Sequence, residues 1–196
     1  DWAAKWLETS SLNTISADWQ ADGDRLAAMT LRQTAPADYP TTRPHALEVA
    51  LVREVDGGVQ VEALPARLAA EEAAVPEAVG RARPSLVFPN YNDHGFFKVA
   101  LDPDSVAFAR ENLERIDDEL LRQLLWSSLW NMVRDQQLRS TDYLDLVRSK
   151  VSREQMPELV EAIRSNATAA IGRYVPEDWK TREAHELCQV AYQALK

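Results

Sequence analysis

Phe97-Lys98-Val99-Ala100-Leu101-Asp102-Pro103-Asp104-Ser105 is where this chain changes its pattern. Phe97, Val99 and Leu101 alternate with the two-residue period of a half-buried strand. Asp102 then stands where a side-chain oxygen can cap a helix. Pro103 suits the first helical turn, where its missing N–H leaves no bond unmade. The residues before this point should form strands and loops, and those after it helices.

The composition divides at the same place. Of the 6 glycines only Gly172 lies beyond it, and of the 10 prolines only Pro157 and Pro176 follow Pro103. Both residue types punctuate turns. In the front part, Arg25–Gln33 and Ala46–Arg53 alternate as strands, the second with Leu47, Val49 and Leu51 on one face. Val55-Asp56-Gly57-Gly58-Val59 carries a hairpin turn, its two glycines permitting positive φ. The strand Phe97–Leu101 follows a loop, Asn90–Gly95. Ala63–Val79 is alanine-rich and reads as a short helix or as a weakly periodic strand with loops. Several short strands with turns between them predict a β-sandwich over residues 1–102.

The back part has helical spacing. Val106, Leu113 and Ile116 give the first helix an apolar stripe. Asp117-Asp118 places carboxylates at the positive end of a second helix. Its buried face should comprise Leu120, Leu121, Leu124, Leu125, Leu129, Trp130 and Met132. Ser140-Thr141-Asp142 begins a third helix with Tyr143, Leu144 and Val147 inward. Met156–Tyr174 and Pro176–Leu195 supply about two more. Short loops favour antiparallel neighbours, and such pairs can stack as an irregular solenoid. The expected fold class is α+β by segregated domains: a sandwich at 1–102, then an incomplete α-helical domain at 103–196.

Charge and motif content exclude several functions. The formal net charge is −9, which opposes binding to a phosphate backbone and gives no attraction to an anionic membrane. Nine basic and fifteen acidic residues precede Pro103, thirteen and sixteen follow it, so the acidity is concentrated in front. No apolar run approaches the ~20 residues that span a bilayer. Cys188 is the single cysteine, which rules out an internal disulfide and fits a reducing compartment. It reads as a buried, inert thiol on a packed helix. The chain opens on structured sequence without a methionine, so Asp1 reads as a cut, leaving room for a removed signal. There is no GxSxG, P-loop or dinucleotide-binding glycine motif.

The candidate chemistry is thin. A zinc-binding HExxH helix needs its second histidine at i+4. The nearest stretch, His185-Glu186-Leu187-Cys188-Gln189, has Gln189 there. Asp22-Gly23-Asp24 and Asp102-Pro103-Asp104 lack the further ligands of a calcium loop and read as turn and cap. Glu71-Glu72 reads as a solvated pair. Arg43-Pro44-His45 either binds a carboxylate or closes the start of a strand by hydrogen bonding, the second being the plainer reading. His94 sits beside Asp93 without a matched nucleophile. Trp126 and Trp130 read as core or as a seam between helices, and Arg134-Asp135 as an ion pair or a groove contact. No residue is assigned as catalytic or metal-binding, and none as substrate-binding.

Taken in order, these segments resemble the C-terminal region of the aminopeptidase N family of zinc metallopeptidases, bacterial branch. Trp6-Leu7-Glu8-Thr9-Ser10-Ser11-Leu12-Asn13-Thr14-Ile15 resembles its WLxTxGxNxL stretch. Arg43-Pro44-His45 leading into Leu47–Leu51 resembles RPHxLxVGLY. Leu86–Asp93 through Phe97–Pro103 resembles LVLPNxxDLxxAKVRLDP, and Leu125–Asp135 resembles LWxxxWDMxRD. Asp142–Val147 fits as well. Ser11 replaces the usual glycine and Asn131 the usual aspartate.

The resemblance implies a non-catalytic fragment of a cytoplasmic enzyme that removes N-terminal amino acids from peptides. Its zinc, its HExxH and its GxMEN loop would lie upstream, so this chain holds no cofactor and should be inactive alone. The sandwich would be a spacer and the helices a lid that gates or shapes access. The implied partners are the catalytic domain of the same polypeptide and peptide substrates, with no nucleic acid and no membrane. An exposed apolar edge should remain where further helices would pack. The competing reading is a stand-alone helical module that binds peptides or proteins.

Overall fold

Alternation becomes strand wherever one face can be buried. β1 (Thr14–Asp22) and β2 (Arg25–Thr34) form an antiparallel hairpin, closed through Gly23 at a φ of 56°. β3 (His45–Val55) and β4 (Gly58–Leu68) form a second one, with Val55 paired to Gly58. Its turn uses Asp56 and Gly57 at positive φ, and Gly58 already belongs to the strand, so the predicted pair of glycines is shifted by one residue. The structure, a computed structural model, describes residues 2–193.

β5 (Glu72–Ala74), β6 (Leu86–Tyr91) and β7 (Lys98–Ala100) complete two sheets, ordered β5-β2-β1-β7 and β4-β3-β6. β7 runs parallel to β1. Ala63–Val79 resolves into the end of β4, then β5 and a 3-10 turn at Pro76–Ala78, not an α-helix. Ile15, Leu26 and Leu31 from one sheet share a single core with Leu47, Val49, Leu51 and Leu68 from the other. The opposite face of β3 is buried too: Ala50 and Val52 pair in register with Phe88 and Leu86, and none of the four is exposed. The fold class is therefore α+β.

The chain divides into two compact units, Asp1–Glu111 and Asn112–Lys196. The first unit thus includes most of the helix α2 (Pro103–Asn112). Asp102 caps that helix, its Oδ1 accepting from the Ser105 N–H at 3.0 Å. Ser105 is itself buried and its Oγ accepts from the Val87 N–H at 2.8 Å, which pins α2 to β6. α2 ends at Asn112; beyond it Leu113, which begins a 3-10 turn (Leu113–Arg115), and Ile116, which follows it, are both buried. The single stripe expected from Val106 through Ile116 is therefore broken.

In the second unit, Asp118 caps α3 (Glu119–Arg134) through the Leu121 N–H. α4 (Ser140–Lys150), α5 (Pro157–Tyr174) and α6 (Glu177–Gln193) follow. Leu121, Leu125, Trp126 and Leu129 are buried on α3, Tyr143, Leu144 and Val147 on α4, and Leu159, Ile163 and Ala170 on α5. Leu120, expected inside, is 40% exposed because the helical turn carries it off the stripe that Leu121 and Leu125 define. Trp126 and Trp130 both pack on Tyr143, at ring-centroid distances of 6.2 and 5.7 Å, and so form an interhelical seam. Among the described side chains of α6, the most buried is Glu183, a charged residue.

Candidate functional site

Pro44 disfavours helix at the residue before it, so Arg43 enters β3 in extended backbone. Gln33, buried at the end of β2, holds it there. Its Oε1 accepts from the Arg43 N–H at 3.1 Å, and its Nε2 donates to the Arg43 carbonyl at 2.9 Å and to the Ala70 carbonyl at 2.7 Å. The Arg43 side chain, itself buried, turns toward a short helix, α1 (Trp2–Leu7), and the irregular segment after it. Nε donates to the Lys5 carbonyl at 2.8 Å and Nη1 to Asn13 Oδ1 at 3.0 Å. Nη2 donates to Thr9 Oγ1 at 2.7 Å and to the carbonyls of Thr9 and Ser10. The guanidinium also lies 5.4 Å from the Trp6 ring centroid. All three nitrogens are engaged within the chain, so Arg43 closes the start of the strand by hydrogen bonding.

His45 completes this junction. Its ring meets Trp6 and Phe97 edge-on, at centroid distances of 5.4 and 4.8 Å. Nε2 is buried and reaches no hydrogen-bond partner. Burial, and then the neighbouring Arg43 charge, push its pKa below the ordinary histidine value. Burial of this kind favours the neutral ring.

His94 occupies a different place. Asn90, buried at the end of β6, organises its loop. The Asn90 side chain accepts from the Gly95 N–H at 2.9 Å and donates to the Gly95 carbonyl at 3.0 Å. Asn92 and His94 then both meet Glu48 Oε2, at 2.7 and 3.3 Å. Glu48 and His94 edge a groove of about 530 Å³ that Leu47, Val75, Pro76 and Arg67 also line. The second unit has a hollow of about 550 Å³ where loops meet, lined by Val133, Gln136, Arg139, Tyr174 and Pro176. Neither brings together a nucleophile, a base and an orienting group.

The remaining candidates stay apart. Among the described residues no group of three histidine, cysteine, aspartate or glutamate side chains could hold a metal ion, so the residues present do not fit a zinc centre. Cys188 is exposed, contrary to the sequence reading. Glu183, five positions earlier, takes the inward face of α6, and Cys188 falls on the outward one. Glu72 meets Arg32, which also contacts Asp18. Asp135 ends α3, its N–H donating to the Asn131 carbonyl, while Arg134 is exposed.

The second unit carries charge pairs that periodicity did not reveal. Arg122 lies 3.2 Å from Glu154, Lys150 2.7 Å from Glu114 and Arg148 2.7 Å from Glu183. Burial would raise the carboxyl pKa values of Glu114 and Glu183, but their cationic partners outweigh it and hold both below the usual range. The only signal available in the sequence was the position of a charged residue on the otherwise inward face of its helix.

Residues 86–196 match the family described as the ERAP1-like C-terminal domain. The chain belongs to this family. The matched stretch of the ERAP1-like domain begins at β6 and runs through α2 into all four helices of the second unit. "Aminopeptidase N" of Streptomyces lividans is 33% identical over 183 residues, covering 88% of this chain and 21% of that protein. The chain thus spans about a fifth of the length of that relative. The ERAP1-like domain and the segment before it therefore correspond to the C-terminal region of the aminopeptidase N family.

Proposed function

We propose that this chain is the non-catalytic C-terminal part of a bacterial, cytoplasmic, zinc-dependent aminopeptidase that removes N-terminal residues from peptides. Its sheets act as a sandwich spacer. Its helices stack in pairs as a lid that shapes access to a metal site held elsewhere in the polypeptide. The carrying observation is the 33% identity to an aminopeptidase N over 88% of the chain, a share large enough to enter both units. The Arg43 junction agrees with it: it fastens α1, where the resemblance to the end of the catalytic domain lies, onto the sheets. No helix among the described residues is long and apolar enough to cross a membrane. A lid of this kind acts by excluding water and restricting which substrates reach the reacting atoms.

Two measurements test this. The purified chain should neither turn over aminoacyl fluorogenic substrates, with or without added zinc, nor carry zinc by elemental analysis. Zinc-dependent turnover by the chain would overturn the reading. In the full-length polypeptide, loosening the helical unit should change the selectivity between short peptides and longer substrates. Unchanged selectivity would remove the gating role.

A further inference from the structure

One side chain gathers most of the acceptors in the segment between α1 and β1. Residues 8–13 form no strand or helix. Four of their oxygens accept from Arg43: the carbonyls of Thr9 and Ser10, Thr9 Oγ1 and Asn13 Oδ1. Asn13 is tied as well by its Nδ2 to the Thr41 carbonyl and by its own carbonyl to the Lys98 N–H. A fifth acceptor, the Lys5 carbonyl, belongs to α1. The planar fork of a guanidinium can reach this set at once, and a lysine ammonium, with three donors at one point, cannot. The backbone of Arg43 is fastened independently by Gln33. The load path therefore runs from β2 through Gln33 to Arg43 and on to α1.

We propose that Arg43 is a positioning residue that sets the angle at which the polypeptide before α1 is held on the sheets, and thereby the substrate-length selectivity of the enzyme. The consequence for selectivity rests on the aminopeptidase reading above. The local clasp does not.

Hydrogen exchange on the chain tests the clasp. In Arg43→Ala and Arg43→Lys, the amides in the last turn of α1 and that of Lys98, whose N–H donates to the Asn13 carbonyl, should exchange at least ~10-fold faster, because the clasp holds both of those segments closed. Core amides at Leu31, Val49 and Leu51 should be unchanged. Uniform acceleration across the sheets, or unaltered protection at these amides, would overturn it. Thr9→Val, which removes one acceptor, should give a smaller effect confined to the same amides. In the full-length enzyme, Arg43→Lys should leave kcat/KM for a single-residue aminoacyl amide unchanged and alter kcat/KM for a ten-residue peptide by ~3-fold or more. An equal change on both substrates overturns the positioning role. Absence of any aminopeptidase activity in the unsubstituted polypeptide would instead refute the proposed function, leaving the exchange result to decide the clasp.

Discussion

Arg148 on α4 and Glu183 on α6 join two helices through a contact of 2.7 Å, with the glutamate side chain only 2% exposed. Arg182 approaches the other oxygen of the same carboxylate at 2.8 Å, and Asp145 meets Arg148 from its own helix. The described part of α6 offers few fully buried apolar groups, so this pair does much of the docking. Glu183→Ala leaves the half-buried Arg148 with Asp145 and Glu186 alone and should cost about 1.5–3 kcal/mol, the value of a hydrogen bond to a charged group. Urea unfolding of the chain measures it, and a loss under about 1 kcal/mol would mean that Asp145 compensates fully.

Acid should weaken the helical unit. Glu183 and Glu114 have folded pKa values below the ordinary 4.5. As pH falls, the unfolded chain takes up their protons before the folded one does. Their contribution is complete above pH 4.5 and is lost as pH falls through the folded values. Far-UV circular dichroism should show helix loss beginning below that point, and Glu183→Gln should flatten the profile.

His45 acts at higher pH. Its folded pKa lies below the ordinary 6.5, so protonation favours the unfolded chain. Stability should be level above pH 6.5 and decline as pH drops from there toward the folded value. His45→Phe removes the titration and keeps the ring between Trp6 and Phe97. The slope of melting temperature between pH 7 and 5 should shrink in this variant, and an unchanged slope would assign it to other groups.

Ser11 sits at a φ of 79°, left-handed backbone that costs a side chain about 1 kcal/mol or more. The aminopeptidase pattern has glycine at this position. Ser11→Gly should stabilise the chain by about 0.5 kcal/mol after the added freedom of the unfolded glycine is subtracted. Denaturant midpoints decide it, and a destabilised variant would show that the Ser11 side chain matters in its own right.

Gly95 has no such strain but no room either. A Cβ there would stand 1.9 Å from Phe97 Cε1. Phe97 packs against the core and against His45, so its ring cannot swing away freely. Gly95→Ala should cost about 1–3 kcal/mol and disturb the indole fluorescence of Trp6 through the His45 contact.

The sequence by itself determined the elements, the lineage and the absence of a recognisable catalytic motif. Alternation at Arg25–Gln33 and Ala46–Arg53, and caps at Asp102 and Asp118, are local properties that a few neighbouring residues enforce. Ordered motifs identified the family for the same reason, since each is a short run of residues. What the tertiary structure alone decided was partnership. Arg43 finds its acceptors about thirty residues back along the chain, and Ser105 meets Val87 across 18 residues. Periodicity named an inward face for α6 and α3 but could not say where coverage stops, so Cys188 and Leu120 were placed inside and lie outside. Burial of a polar or charged group depends on a partner brought near by folding, and no local pattern encodes which distant residue that will be.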